Sequence, residues 1–349
     1  MSFAIGGKRI GPGEEPFIIA EMSANHNGSL DRALAIVDAA ADAGASALKI
    51  QTYTPDTMTL DLREGEFLIS DPQSLWKGKT LYELYREAMT PWDWHGPIFE
   101  RCRKRGLAGF STPFDATSAD FLQKLNVPCY KIASFENTDL ALIRKVASMG
   151  KPLFVSTGMA TLEETEEIVR TARAAGCRDL VLLKCTSVYP ADPSEANVLT
   201  VPDMQKRFGC PVGLSDHTPG IGAAIAAVAH GAVAVEKHFT LSRQDAGVDS
   251  AFSLEPAELG SLVTEAQRAR ASLGEVTYEP TRREKASLVF RRTLYVARDI
   301  RAGEAITHDN VRAIRPGLGL ACRHYDSLMG RKAARDLKKG TALKWEHLQ

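Results

Sequence analysis

The chain has 349 residues, 44% hydrophobic and 25% charged, and its 43 basic side chains are cancelled by 43 acidic ones. That balance leaves no global field to hold nucleic acid or an anionic membrane, so any preference for an anion must be built locally. The opening MSFAIGGKRI lacks the charged-then-apolar layout of a signal peptide, and the longest apolar stretch, IGAAIAAVA, is far too short for a bilayer span; a cytoplasmic protein is expected.

Along the chain, eight short apolar runs each close on polar residues. PFIIAE ends on Glu21, ALKIQTY carries Lys49 and Gln51, AGFSTPFD carries Thr112, and YKIASFE carries Lys131, Ser134 and Glu136. PLFVSTGM follows with Ser156, LVLLKCTSVYP with Lys184, Ser187 and Tyr189, VGLSDHT with Ser215 and His217, and VAVEKHF with His238. Eight runs of this kind, with polar residues at the strand ends, predict a closed parallel TIM (β/α)8 barrel that keeps its chemistry at one mouth.

Helical spacing fills the gaps between runs. Leu34, Val37, Ala40 and Ala41 predict a helix over 31–43 after Asn25-His26-Asn27-Gly28. Thr90-Pro91-Trp92-Asp93 offers a threonine cap with proline in the first turn, and Thr161-Leu162-Glu163-Glu164 reads as a capping box. Residues 54–90 are long for a strand-to-helix connection, the kind of loop that covers a substrate. The alternation runs to about residue 270, giving a barrel domain over 1–270, a linker over 271–290 and a second domain over 291–349. That last domain holds a near-repeat: Ala297-Arg298-Asp299-Ile300-Arg301-Ala302-Gly303 returns as Ala334-Arg335-Asp336-Leu337-Lys338-Lys339-Gly340, followed in step by Ile306 and Val311, then Leu343 and Leu348. Two similar units packed face to face would make a small β-rich domain, marginal on its own.

The strand-end residues suggest a chemistry. Lys49, Lys131 and Lys184, facing into a barrel mouth, need an anion to offset the desolvation of their charge. Thr112, Ser134, Ser156, Ser187 and Ser215 are hydroxyl donors suited to phosphate oxygens, and the Ser156-Thr157-Gly158 turn frees backbone donors. Together they read as a pocket for a phosphorylated acid, although any one serine could instead cap the helix after it. His217 and His238 lack the spacing of a zinc protease motif; at neighbouring strand ends they are either structural histidines or two ligands of an octahedral divalent ion, manganese or magnesium. Barrel closure brings Glu21 toward His238, where it can orient water, move a proton or neutralise Lys49. Glu136 has the same ambiguity, with a sugar hydroxyl as its other partner, and Asp249 on the loop after the last strand joins the substrate contacts. Trp92, Trp94 and Tyr82 are either a sugar floor or core. Six cysteines without a CxxC pair are expected as free thiols, Cys185 as a small packing residue.

The motifs AEMSANHNG, ALKIQTYTPDT, STPFD, KIASFE, STGMA, GLSDHT, EKHFTL and RPGLGL run in order over nearly the whole chain and resemble the sialic acid synthase family of phosphoenolpyruvate-dependent nonulosonic acid synthases. LWKGKTLYELYREAMTPWDWH and LLKCTSVYPA look most like its pseudaminic acid branch rather than the N-acetylneuraminic or legionaminic branches. The resemblance implies a barrel followed by an antifreeze-like (SAF) domain, in a domain-swapped homodimer where Arg315 of RPGLG reaches the sugar bound by the other subunit. It implies condensation of phosphoenolpyruvate with a 2,4-diacetamido-2,4,6-trideoxy-altrose and water, giving pseudaminic acid and phosphate. By the family pattern Lys49, Thr112, Lys131, Ser134, Ser156, Ser187 and Ser215 face phosphoenolpyruvate, and Gln51, Glu136, Tyr189, Asp249 and Arg315 face the sugar. His217 and His238 hold a divalent metal, Mn2+ ahead of Mg2+ or Co2+, and Glu21 serves water or proton transfer. Ser187 stands where neuraminic relatives commonly have asparagine. Phe135 replaces a small residue and suits a methyl where other sugars carry a hydroxylated tail. The rivals are a class I aldolase with a Schiff base on Lys131 or Lys184, and a sugar-binding protein with an idle barrel.

Overall fold

All eight runs form parallel strands. A computed structural model describes residues 2–72, 74, 76–245 and 247–349, and the chain divides into a first unit ending at Gly274 and a second unit, Glu275–Gln349. The strands are β1 (Phe3–Ile5), β2 (Lys8–Ile10), β3 (Phe17–Glu21), β4 (Ala47–Thr52), β5 (Ala108–Pro113), β6 (Tyr130–Ile132), β7 (Leu153–Ser156), β8 (Leu180–Cys185), β9 (Val212–Asp216) and β10 (Ala234–His238) in the first unit. β11 (Thr293–Val296) and β12 (Val311–Ile314) lie in the second. β3 to β10 form a closed barrel in sequence order, sealed by parallel pairing of β10 with β3.

Because strand side chains alternate, each run contributes to two cores. Phe17, Ile19, Ala47, Phe110, Phe154, Val181 and Leu183 point inward and fill the barrel. Ile18, Leu48, Ile50, Tyr130, Val155, Leu182 and Val235 point outward and pack under the helices. The inner apolar filling stops partway along the strands, and beyond it the inward positions are polar apart from small residues such as Ala133 and Cys185.

The end of the barrel away from those polar positions is closed by the β1–β2 hairpin, which the sequence pattern did not reveal because three-residue strands carry too little periodicity. Its Gly6-Gly7 turn has φ of 56° and 84°, the left-handed pair that matches the twist of a tight hairpin. The hairpin drives Ile5 and Ile10 into the inner core.

The first barrel helix, Leu30–Asp42, is capped by Ser29, whose hydroxyl accepts from the Arg32 N–H at 3.3 Å. Its buried stripe is Ala33, Ile36, Val37 and Ala40; Leu34 and Ala41 flank it rather than form it. The Thr161 capping box is formed, with Glu164 N donating to Thr161 Oγ1 at 3.2 Å and Thr161 N to Glu164 Oε2 at 2.7 Å. Thr90 caps nothing: the tryptophans make a 3-10 turn, Trp92–Trp94, which runs straight into the helix His95–Lys104. Among the described residues no helix is long and apolar enough to cross a membrane.

In the second unit the near-repeat is a pseudo-two-fold. Ile300 and Leu337 exchange backbone hydrogen bonds at 2.9 and 2.8 Å. Asp336 accepts from Ala302 N and Asp299 from Lys339 N, both at 2.8 Å, while Gly303 N reaches Ala333 O and Gly340 N reaches Val296 O, again both at 2.8 Å. Ile306, Val311, Leu343 and Leu348 fill the core between the copies. Within 271–290, Arg282–Ser287 is helical, capped by Thr281.

Candidate active site

Inward positions at the C-terminal ends of the strands hold a buried charge cluster. Lys49 Nζ lies 2.6 Å from Glu21 Oε2 and 3.6 Å from Glu236 Oε1. Lys131 Nζ donates to both oxygens of Glu236 at 2.9 and 3.0 Å. Lys49 also donates to Thr112 Oγ1 at 3.2 Å, and Ser215 Oγ to Glu236 Oε1 at 3.3 Å. Burying four charges is tolerable only because they alternate in sign. Burial pushes the Glu21 carboxyl up to about 7, against the pull of Lys49. Burial acts the same way on Glu236, but Lys131 and Lys49 together outweigh it and hold that carboxylate down to about 2.

Glu236 is the residue that reading the strand ends missed. Its signal was available: it precedes His238 by two on one strand, so if one faces inward, both do. The same parity corrects the reading of the lysines. Lys184 shares the outward face of Leu180 and Leu182, and its Nζ donates to Thr186 Oγ1 at 2.8 Å. Two lysines, not three, enter the mouth.

The serines converge. Ser187 Oγ donates to Ser134 Oγ at 2.8 Å, and the turn after Ser156 closes over both. Gly158 is required there: its φ is +45°, and a Cβ would lie 2.5 Å from Ser134 Cβ and from Ser187 Oγ. Asn137, also missed, holds that turn by donating to the carbonyls of Ser156 and Thr157 at 3.2 and 2.6 Å. The buried Ser156 Oγ has no partner among the described residues, which is costly for a buried hydroxyl and points to a ligand that supplies one. Cys185 is inward, paired in register with Ser215, its Sγ 3.8 Å from Ser187 Oγ; the cysteines are all free.

One inward step further along the strands stand the histidines. The His217 and His238 rings are 5.4 Å apart, with Tyr189 4.3 Å from His217 and 6.0 Å from His238. His217 Nδ1 is held by the Thr186 carbonyl at 2.8 Å, which leaves Nε2 for an ion, and His238 Nδ1 is buried without a partner among the described residues. Both observations fit a metal pair. No group of three or more His, Cys, Asp or Glu able to hold an ion occurs among the described residues, so such an ion would keep positions for water and substrate oxygens.

Above this layer opens a cavity of about 400 Å³. Gln51, Glu136, Tyr189 and Asp249 all line it, as do His238 and Ser23. Gln51, Ala133 and His238 are each the next inward residue after Lys49, Lys131 and Glu236, so the cavity floor is the roof of the charge cluster. Burial raises the Glu136 carboxyl to about 7, and its Oε2 has no partner among the described residues. Asp249 is raised by burial too, and accepts from Ala24 N at 3.2 Å. Arg315 belongs to the second unit, exposed immediately after β12. Trp92 stacks on Phe121 at 4.5 Å and Trp94 meets His26 edge-on; the aromatics that line the cavity are Trp76, Tyr53, Tyr85, Phe114 and Phe135 besides Tyr189.

The chain matches the NeuB family over residues 36–278 and the SAF domain over residues 291–349. It is 43% identical over 328 residues to the pseudaminic acid synthase of Campylobacter jejuni, covering 94% of this chain and 95% of that one. To the pseudaminic acid synthase of Helicobacter pylori it is 41% identical over 338 residues, 96% of this chain and 98% of that one. An N-acetylneuraminic acid synthetase from Leptospira borgpetersenii, solved with citrate, superposes with a TM-score of 0.74 at 32% identity, covering 82% of this chain and 95% of that one.

Proposed function

The chain belongs to the NeuB family, and from that premise we propose that it is a pseudaminic acid synthase, joining phosphoenolpyruvate to 2,4-diacetamido-2,4,6-trideoxy-altrose and water to release pseudaminic acid and phosphate. The observation that carries the reading is the stacking of two layers: a lysine-rich, hydroxyl-lined floor directly under a cavity edged by Gln51, Glu136, Tyr189 and Asp249. An anion with a phosphate and a carboxylate suits the lower layer, a sugar the upper.

In this reading Lys49 and Lys131 hold the anionic groups of phosphoenolpyruvate, with Thr112, Ser134, Ser156, Ser187 and Ser215 completing its oxygen contacts. His217 and His238 would hold a divalent metal, Mn2+ first, with Mg2+ or Co2+ as alternatives; when bound, it polarises the open-chain sugar aldehyde. The enol carbon forms the new bond to that aldehyde carbon as the aldehyde π bond breaks, leaving a sugar alkoxide and a cationic carbon beside the phosphate oxygen. Glu21, its carboxyl raised by burial, accepts one proton of the water that adds there and passes it to the alkoxide; the second water proton goes to the departing phosphate as the tetrahedral carbon collapses to the ketone, so the carbon–oxygen bond breaks and the phosphorus centre is untouched. Gln51, Glu136, Tyr189 and Asp249 place the sugar, and most of the rate enhancement comes from placement and fixed charge.

We further propose a cytoplasmic homodimer whose SAF domains are exchanged, with Arg315 contacting sugar in the partner's barrel. The reaction is tested by phosphate release from phosphoenolpyruvate with the diacetamido-trideoxy-altrose, run beside N-acetylmannosamine and the diacetamido-trideoxy-mannose, with and without chelator. Chelator-sensitive release with the altro sugar alone is expected. Preference for another sugar keeps the mechanism and overturns the substrate, and no release with any overturns both.

A further inference from the structure

We propose that the helix Leu81–Ala88 is the specificity wall of the sugar cavity, its apolar face reading the methyl groups of an N-acylated, 6-deoxy sugar. This rests on the synthase reading above and deepens it by naming the substrate feature selected.

The barrel's repeat needs one helix after β4, and His95–Lys104 supplies it. Leu81–Ala88 is therefore additional, carried by the long 54–90 connection. Leu81, Leu84, Tyr85 and Ala88 are spaced as one face of a helix, and all four line the cavity. Such a stripe ordinarily disappears into a core; here Leu81 and Tyr85 stay only half-buried. From the barrel side Phe135 faces the same cavity, 58% exposed and stacked on Tyr189 at 6.5 Å.

The cavity thus has two chemistries. Gln51, Glu136, His238 and Asp249 offer polar side-chain atoms, whereas Met58, Ile69, Leu81, Leu84, Ala88 and Phe135 offer none. A hydroxylated tail laid against Leu81, Leu84, Ala88 and Phe135 loses its water without gaining a partner from them, whereas a methyl group gains by burial. The diacetamido-trideoxy sugar presents three methyls, two on its acetamido groups and one at C6; N-acetylmannosamine presents one methyl and a C6 hydroxyl.

The wall is fixed in place. Thr80 and Glu83 close a capping box at its start, with Glu83 N donating to Thr80 Oγ1 at 3.1 Å and Thr80 N to Glu83 Oε2 at 3.0 Å. Tyr85 packs edge-on to Tyr53 at 5.9 Å, and Trp76 Nε1 donates to the Val248 carbonyl at 3.3 Å, tying the connection to the loop that carries Asp249.

The experiment compares wild type, Leu81→Gln and Phe135→Ala, measuring kcat and KM for phosphoenolpyruvate, for the 6-deoxy diacetamido sugar, for its 6-hydroxy counterpart and for N-acetylmannosamine. Leu81→Gln keeps a good helix former, and Phe135 is exposed enough to truncate without unfolding; thermal melts verify both. Wild type is expected to favour the 6-deoxy sugar by about tenfold or more in kcat/KM, the range one apolar group in a hydrophobic pocket commands. Each variant is expected to lose most of that preference through KM for the 6-deoxy sugar, with KM for phosphoenolpyruvate unmoved. Equal losses for both sugars, or an intact preference, would overturn the wall. Wild type that turns over N-acetylmannosamine but neither diacetamido sugar would overturn the branch assignment itself, an outcome seen before any substitution is made.

Discussion

Glu136 illustrates how a carboxyl that lines a cavity strains its own fold. Its carboxyl is lifted to about 7 from an ordinary 4.5 by burial, and one oxygen lacks a partner among the described residues. A carboxyl with a raised folded pKa favours unfolding once it must ionise, so the penalty is absent below about pH 4.5, grows to about pH 7 and is constant above. Glu136→Gln removes it. The variant should melt higher than wild type at pH 8, by at most ~3 kcal/mol of stability, with the difference closing toward pH 4.5 while sugar KM rises. A constant difference across that range would mean the carboxylate is not the source. Glu236 has the opposite character, held ionised at about 2 by Lys131 and Lys49. Among the described residues it is the only carboxylate in ion-pair contact with Lys131. Glu236→Ala should cost about 3–5 kcal/mol in urea unfolding, the penalty for stranding a buried charge. The isosteric Glu236→Gln should fold but turn over about 100-fold more slowly, since the lysines lose the group that aims them. That Glu236 was passed over in the sequence, and Lys184 overvalued, has one cause. Composition marks which residues end a strand, but only the alternation phase says which of them face inward, and the phase is fixed by where the apolar filling begins.

At the scale of elements, the barrel was legible because each strand is an apolar run long enough to show its ends, and the Thr161 box because capping is written in four consecutive residues. The β1–β2 hairpin was not, since three residues a side leave no period to read. The 54–90 connection was legible as an interruption of the repeat, but not that its helix lines a cavity: a stripe at 81, 84, 85 and 88 looks the same whether it meets a core or a cavity. The cap of that helix tests whether the element acts as a unit. Thr80→Ala removes an N-cap worth about 1 kcal/mol, on a helix of two turns that has little stability to spare. Sugar KM should rise several-fold and proteolytic cleavage within 54–90 should quicken, while KM for phosphoenolpyruvate stays put. A matching rise in both KM values would place the damage in the barrel mouth at large instead.

At the scale of the whole molecule the question is why a barrel with its charge cluster and cavity carries a second unit at all. That unit has a core of its own, built on the pseudo-two-fold of Asp299 and Asp336, yet it is small enough that its stability alone is modest. It also presents Arg315 exposed at the end of β12, with no ion-pair partner among the described residues. If Arg315 serves the partner's barrel, Arg315→Ala and Glu21→Ala damage different halves of each site. Subunits of the two variants, unfolded together and refolded in equal amounts, would pair at random, so half of the dimers would be mixed. Each mixed dimer holds one site carrying both lesions and one carrying neither, so about a quarter of all sites would be intact in a two-fold assembly. Turnover should therefore climb from near zero for either variant alone to about a quarter of wild type, with wild-type KM values because the recovered sites are whole. If Arg315 instead served its own barrel, every site in the mixture would keep one lesion; if it served none, the Arg315→Ala parent would already be active; in either case the activity would never exceed the average of the two parents.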